Sequence, residues 1–388
     1  MIQIREKQNC AGCTACMACC PKNAISMVAD ERGLVYPVVD TQSCVECGLC
    51  DKVCPFDKSS KQVSDMQVYA VKHKDSLVLA ESTSGGIFTA VSDYILEQGG
   101  VVYGAALDEN IVVKHIRAST PEVRDLMRGS KYVQSDLGDA FRQVKQDLIA
   151  KKKVLFTGTP CQVAGLKSYL NGNDDGLICM DLICHGVPSP LIYKEHIDLL
   201  SQKLHTKITD YKFRPKKWGW HVHREIVCAS NKEYYSTPYT DLWKDLYYSR
   251  LATRPSCNNC PYSNLNRVGD ITIGDCRGID RVKPSFGSYD GVTLAMLNTQ
   301  VGKEIFEAVS AALIYEPLNI DDVMQPPLRC SSRANAESEN FFEIYQKHGY
   351  KKAIKAYYGW TYVLKYYIKK WIIRSKFQFI TRITRRRV

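Results

Sequence analysis

Cys10-Ala11-Gly12-Cys13-Thr14-Ala15-Cys16-Met17-Ala18-Cys19-Cys20-Pro21 and Cys44-Val45-Glu46-Cys47-Gly48-Leu49-Cys50-Asp51-Lys52-Val53-Cys54-Pro55 decide how this chain is read. Both follow the spacing C-x2-C-x2-C-x3-C-P. The short x2 loops aim three thiolates at one cube. The proline then turns the chain away and carries the fourth thiolate toward a neighbouring site. Zinc usually takes its four ligands as two separated pairs, so two runs of four, each closed by proline, indicate iron-sulfur rather than zinc. Cys19 lies outside the spacing and reads as a spare thiol beside a cluster. The chemistry implied is one-electron transfer.

The same spacing resembles that of bacterial two-cluster ferredoxins, in which the fourth cysteine of each run ligates the other cluster. That arrangement implies one 4Fe-4S cluster on Cys10, Cys13, Cys16 and Cys54, and a second on Cys44, Cys47, Cys50 and Cys20. Ile25–Val28 and Leu34–Val39 read as two short strands around Asp30-Glu31-Arg32-Gly33. Polar Lys58-Ser59-Ser60-Lys61-Gln62 closes a first domain expected over residues 1–62.

A chain of 388 residues has room for two or three domains. No apolar run reaches the roughly 18 residues that span a bilayer. The N-terminal MIQIREKQNC has no apolar h-region, so a cytoplasmic location is expected. Seventeen cysteines without a secretory signal point to metal ligands before disulfides. The net charge of +11 is concentrated at one end. Residues 341–388 hold thirteen Lys or Arg against one acid, Glu343, which leaves the other 340 residues close to neutral.

Strands and helices alternate over residues 66–335, which predicts a mixed α/β (α+β) domain behind a small ferredoxin-like one. Val68–Val71, Val101–Leu107 and Ile111–Ile116 read as strands. Ser82-Thr83-Ser84-Gly85-Gly86 opens a helix whose apolar residues Ile87, Phe88, Val91, Tyr94 and Ile95 share one face. Such a helix start suits a phosphate, although capping serines need no ligand. Strand Val154–Phe156 leads through Thr157-Gly158-Thr159-Pro160-Cys161-Gln162 into a helix over Val163–Leu170. Leu177–Leu182 is another strand, and Cys184-His185-Gly186-Val187-Pro188-Ser189-Pro190 starts another helix. Cys257-x2-Cys260-Pro261 precedes the strand Asp270–Asp275. Cys161, Cys184, Cys257 and Cys260 thus sit in loops at element ends. Spacing alone leaves open a third cluster, a metal on the Cys257/Cys260 pair, or buried thiols.

These segments, together with Arg128-Gly129-Ser130-Lys131-Tyr132 and Asp270-Ile271-Thr272-Ile273-Gly274-Asp275, resemble the beta subunit family of coenzyme F420 hydrogenases and dehydrogenases. With the dicluster segment fused ahead, the chain is similar to bacterial members associated with polysaccharide biosynthesis. The resemblance implies FAD at the centre of the body and a third 4Fe-4S cluster on Cys161, Cys184, Cys257 and Cys260. It places the flavin along Ser82, Ser84, Gly85 and Gly86, at Lys131, and at Thr157, Gly158, Thr159 and Gln162. The family commonly reads Gly-Asp-Phe-Trp-Gly near its last strand, where this chain has Gly274-Asp275-Cys276-Arg277-Gly278.

A flavin exchanges electrons in pairs or singly, and a cluster only singly, so the two together convert between the modes. The expected activity is that of an iron-sulfur flavoprotein oxidoreductase. A ferredoxin or similar redox partner would load the clusters, and FAD would act on a small molecule or glycan precursor. Lys131 and His185 are the candidate catalytic groups. Two other readings stand beside it: a relay subunit without its own active site, and a subunit acting on the deazaflavin coenzyme F420. His221 and His223 would share one face if they lay on a strand. The basic end, expected as a separate tail over residues 336–388, sets Val363, Tyr367, Ile368, Trp371 and Ile372 on one helical face among Lys365, Lys369, Lys370, Arg374 and Lys376. Three readings stand for it: peripheral contact with an anionic membrane at its inner face, a helix packed on the body, and nucleic acid, for which no fold motif is present.

Overall fold

The computed structural model describes residues 2–3, 6–56, 65–287 and 289–385, the last thirteen as helix backbone alone. The polar stretch 58–62 and the expected domain end at 62 lie outside the described residues.

The first segment folds as helix α1 (Ala15–Cys19), hairpin β1 (Ile25–Ala29) and β2 (Val35–Val39), and helix α2 (Leu49–Val53). The hairpin pairs Ile25 with Val39 and Ala29 with Val35. Asp30 makes its turn by accepting from the amides of Arg32 and Leu34, both at 3.0 Å.

The body begins with β3 (Gln67–His73), α3 (Ser76–Glu81), α4 (Ile87–Glu97), β4 (Val101–Leu107), β5 (Val113–Ala118), α5 (Pro121–Asp125) and α6 (Ala140–Ile149). It continues through β6 (Val154–Gly158), α7 (Pro160–Leu170), β7 (Leu177–Leu182) and α8 (Pro190–Leu204). An insertion follows, with β8 (Ile208–Lys212), β9 (Ile226–Ala229), β10 (Lys232–Tyr235) and α9 (Leu242–Ser249). The body closes with β11 (Ile271–Asp275), α10 (Ile279–Val282), β12 (Thr293–Leu297), α11 (Gln300–Val309) and β13 (Leu313–Pro317). Eight strands form one sheet in the order β13-β3-β12-β11-β7-β6-β4-β5, and β8 to β10 form a second. The neighbours β4, β6, β7 and β11 run parallel. Strands covered on both faces carry unbroken apolar runs, as Val154-Leu155-Phe156 does.

Two expected boundaries move for local reasons. β5 starts at Val113 because Ile111 turns in the left-handed region, φ +62, while Asp108 accepts from the amides of Asn110 and Val112. α7 starts at Pro160 rather than Val163. Proline suits the first helical position, and Thr159 with Gln162 forms a reciprocal cap ahead of it.

One core joins the dicluster segment to the body. Ile2, Cys16 and Val53 are buried together with Phe141, Phe156, Val163 and Leu166. α1 lies on α7 at Gly165, where a Cβ would stand 2.9 Å from the Cys13 sulfur. Arg142 on α6 donates to the Met17 and Ala18 carbonyls, and Ser168 Oγ to that of Val53.

The break expected at residue 335 is corrected. α12 (Ser338–His348) and α13 (Tyr350–Tyr357) bury Phe341, Phe342, Tyr350 and Ile354 in a core shared with Tyr193 and Trp243. Only α14 (Trp360–Arg385) has the character of a tail. The hydroxyls of Tyr362 and Tyr366, one turn apart, bond Asp245 and Asp241, each at 2.7 Å. Its other side leaves Trp360, Leu364, Tyr367, Ile368, Trp371 and Ile372 exposed. The side chains of Arg374 and Lys376, and residues 386–388, lie outside what is described. Among the described residues no helix is long and apolar enough to cross a membrane.

Gly85 is the tightest close-approach point in the sheet-helix packing, since a Cβ there would stand 1.9 Å from the Val71 carbonyl oxygen. Gly85→Ala should therefore cost at least ~1–3 kcal/mol through overpacking. Gly99→Ala meets no neighbour and should cost about 1–2 kcal/mol from its φ of +70 alone. Denaturant midpoints of the two variants check the order.

Candidate functional site

The dicluster cysteines surround two small cavities. Cys10, Cys13, Cys16 and Cys54 bound one, with Phe56 and Tyr262. Cys20, Cys44, Cys47 and Cys50 bound the other, with Pro21 and Val39. The fourth cysteine of each run has crossed to the other set. Among the described residues no group of three or more His, Cys, Asp or Glu side chains is disposed to hold a single metal ion. The sulfurs face one another around a space instead. Burial pushes the Cys16 thiol up to about 12 and Cys13 well above the usual thiol range. Such sulfurs become thiolates only beside a cation, which iron would supply. Cys19 borders neither cavity, and its Sγ lies 3.3 Å from the Cys16 carbonyl. Cys47 is exposed, so its set is the outer one, and the Cys10 set faces the body.

Cys161 sits in the first turn of α7, Cys184 just past β7, and Cys257 and Cys260 on and after a short turn over Pro255–Asn259. Burial raises all three of the first-named thiols, Cys161 to about 11 and Cys257 to about 12. Their next causes are one another: Cys161 is raised by Cys260, and Cys184 by Cys257, Cys161 and Cys260. Three stretches far apart in sequence thus bring four cysteines to one place. Gly186, φ +102, lets the Cys184 loop pass Cys257, since a Cβ there would stand 3.4 Å from the Cys257 Cβ. Tyr262 lies between this group and the inner one. Its phenol is raised first by burial and then by Cys161, Cys13, Cys260 and Cys54.

A cavity of about 290 Å³ opens beside Cys161 and Cys184, at the carboxyl ends of β6, β7 and β11. Ligands of open parallel sheets bind in such crevices. Ser82, Ser84, Gly86, Lys131, Thr157, Gly158, Thr159, Gln162 and His185 all line it. Gly85 does not, which corrects its expected role: it packs on β3. Several lining groups are already engaged. Gln162 accepts from the Thr159 amide at 3.0 Å and donates to Ser135 Oγ at 2.9 Å. Thr157 Oγ1 donates to the Tyr103 carbonyl at 3.1 Å. These residues shape the wall more than they offer bonds.

Lys131 Nζ donates to the carbonyls of Leu126 and Arg128, both at 2.9 Å, and burial pulls its pKa from 10.5 down to about 7. Burial, followed by repulsion from Arg277, holds His185 down at about 4, so the imidazole is neutral and not a ready acid. His221 and His223 do not share a site. The chain there is not a strand, and His221 meets Asp280 at 3.0 Å while His223 meets the Tyr248 hydroxyl at 2.9 Å.

Sequence reasoning missed several wall residues. His115 lies on β5, with Nε2 3.0 Å from the Thr157 carbonyl and Nδ1 3.0 Å from Ser135 Oγ. Arg214, paired with Asp275 at 2.5 Å, and Tyr248 come from the insertion, which carries no motif. Lys216 ties down the Ser/Gly loop through the carbonyls of Leu79 and Ser84. In the Cys276-Arg277 departure, Cys276 is a core residue and Arg277 lines the cavity.

Residues 151–322 match the family described as the C terminus of the coenzyme F420 hydrogenase/dehydrogenase beta subunit, and residues 9–58 match a 4Fe-4S dicluster domain. A subunit of the F420H2 dehydrogenase of Methanosarcina mazei is 22% identical over 91% of this chain and 97% of its own length. The coenzyme F420-dependent sulfite reductase of Methanocaldococcus jannaschii is 30% identical over 83% of this chain, which spans 48% of that protein. The beta subunit of the coenzyme F420 hydrogenase of Methanococcus voltae is 25% identical over 64% of this chain and 82% of its own length.

Anaerobically purified protein should hold about twelve iron atoms, four per cube. Cys257→Ser should lower the count by about four and leave the dicluster absorbance intact. An unchanged count would remove the third cluster.

Proposed function

Since the chain belongs to the coenzyme F420 hydrogenase/dehydrogenase beta subunit family and carries a 4Fe-4S dicluster domain ahead of the family's C-terminal region, we propose that it is a redox subunit exchanging electrons between its clusters and a two-electron coenzyme in the cavity beside Cys161 and Cys184. One observation carries this reading: Cys161 and Cys184 belong to the four-cysteine group and also line the cavity. The outer set, the inner set, the third set and the cavity thus stand in series.

FAD is the group the family resemblance implies here, and the wall suits its ring. About 290 Å³ is near the lower end for a ligand site and matches a flavin ring better than a whole dinucleotide. A bound flavin would supply the exchange of a hydride for single electrons. Lys131, titrating near neutrality, holds or releases a proton. His115 keeps its ring fixed between Thr157 and Ser135, and the Arg214–Asp275 pair closes one wall without net charge. As the second substrate we take the deazaflavin coenzyme, because the relatives are named for it; none of the three is named for polysaccharides. A redox partner protein such as a ferredoxin would meet the exposed outer set. The cavity, with its titrating lysine, favours this over a bare relay.

The wall makes the binding of an anionic coenzyme depend on pH. The Lys131 ammonium attracts it below about pH 7 and loses its charge above. Affinity for FAD or the deazaflavin should fall between pH 6 and pH 8 by up to about tenfold. In Lys131→Met the profile should be flat. Wild-type protein that binds neither coenzyme at any pH would sink the reading.

We assign the exposed face of α14 to an anionic membrane surface. Aromatic rings suit the headgroup boundary, and Lys365 and Lys369 suit its charge. Full-length protein should sediment with anionic but not neutral liposomes at low salt, and a chain ending at Gly359 should stay in the supernatant. Equal behaviour of the two chains would refute the assignment.

A further inference from the structure

Arg254 is fully buried between the inner cysteine set and the third. Its Nε donates to the Cys10 carbonyl at 2.8 Å and Nη1 to Gln134 Oε1 at 3.1 Å. Nη2 donates to the Val35 carbonyl at 2.9 Å and faces Cys10 Sγ at 3.7 Å. The guanidinium also lies 4.6 Å from the centre of the Tyr36 ring. Carbonyls, an amide, a sulfur and a ring surround it, and none of these is a carboxylate. Gly12 makes room for it: a Cβ there, at φ +67, would stand 2.9 Å from Nη1. On its other side, the Arg254 carbonyl accepts from the Cys257 amide at 3.0 Å.

A guanidinium buried without a counter-charge is costly. The cost is offset when its neighbour is anionic, and a cube held by four thiolates is more anionic by one unit once reduced. Net charge and hydrogen bonds to sulfur are among the factors that set cluster potentials. Among the described residues no buried guanidinium meets the outer set. Its sulfurs face the backbone amides of Ile2, Ala24 and Glu46. Arg142 nearby spends its guanidinium on Met17, Ala18 and Asn23, with Asp139 at 3.6 Å. Lys22 is exposed, so water and salt screen it.

We propose that Arg254 raises the reduction potential of the cluster on Cys10, Cys13, Cys16 and Cys54 above that of the outer one, so that the electron rests beside the body and not at the exposed end. This rests on reading those cysteines as 4Fe-4S ligands.

The test is a potentiometric titration of the whole chain followed by electron paramagnetic resonance, on wild type, Arg254→Gln, Arg254→Lys and Gln134→Glu. Iron content and the presence of two dicluster signals check the ligand reading, and their absence from wild type would remove it. The potentials check Arg254. The higher of the two dicluster potentials should fall in Arg254→Gln, fall less in Arg254→Lys, and leave the lower one in place. Gln134→Glu keeps the arginine and sets a carboxylate against it, so the higher potential should fall there too. That variant decides the matter if Arg254→Gln fails to load iron. Unchanged potentials in an iron-replete Arg254→Gln or Gln134→Glu, or a shift confined to the lower one, would overturn the proposal.

Discussion

The contact of α1 with α7 is what the rest of this molecule depends on. α7 carries Cys161 in its first turn and Gly165 one turn later, and Gly165 leaves room for Cys13 to sit against the helix. Any side chain there would push the dicluster segment off the body. The same missing Cβ that lets the segment touch the helix brings Cys13 within electrostatic reach of Cys161. Arg142, Ser168 and Tyr262 bond the Met17, Ala18, Val53 and Pro55 carbonyls around the contact and hold it in register.

Burial has opposite effects on the two kinds of group at the site. The thiols of Cys13, Cys16, Cys161, Cys184 and Cys257 are raised, so without iron the inner and third sets disfavour thiolates at these positions. Iron binding and local ordering are then coupled, because the cation is what makes the buried sulfurs stable as anions. The cavity's nitrogen bases are pushed down, Lys131 to about 7 and His185 to about 4. The cavity therefore presents a neutral imidazole and an amine that titrates near neutrality.

The dicluster segment was legible because its pattern is local: two x2 loops and a proline shape each run of cysteines without help from the rest of the chain. The sheet strands were legible from apolar runs such as Val154–Phe156. The third cysteine group was not, since Cys161, Cys184 and Cys257 meet only because β6 and β7 lie side by side and a long insertion returns before β11. A family resemblance supplied that set, and the structure gathers it. Arg214, Lys216 and Arg254 escaped notice because lone basic residues carry no pattern, and their roles come from what they are buried against. Gly85 looked like part of a ligand loop, yet its missing side chain serves the sheet. α12 and α13 were counted with the separate basic tail because their charge hid how few apolar residues a helix needs to dock: Phe341, Phe342 and Ile354 lie in the shared core.

Clusters held on the three cysteine groups would stand in line with the cavity. Magnetic interaction between the reduced inner and third clusters tests that order. Fully reduced wild-type protein should give a paramagnetic resonance spectrum split by spin coupling between neighbouring centres. That splitting should collapse to isolated signals in Cys257→Ser while the dicluster iron is retained. Three independent, unsplit signals from fully loaded wild-type protein would contradict the account.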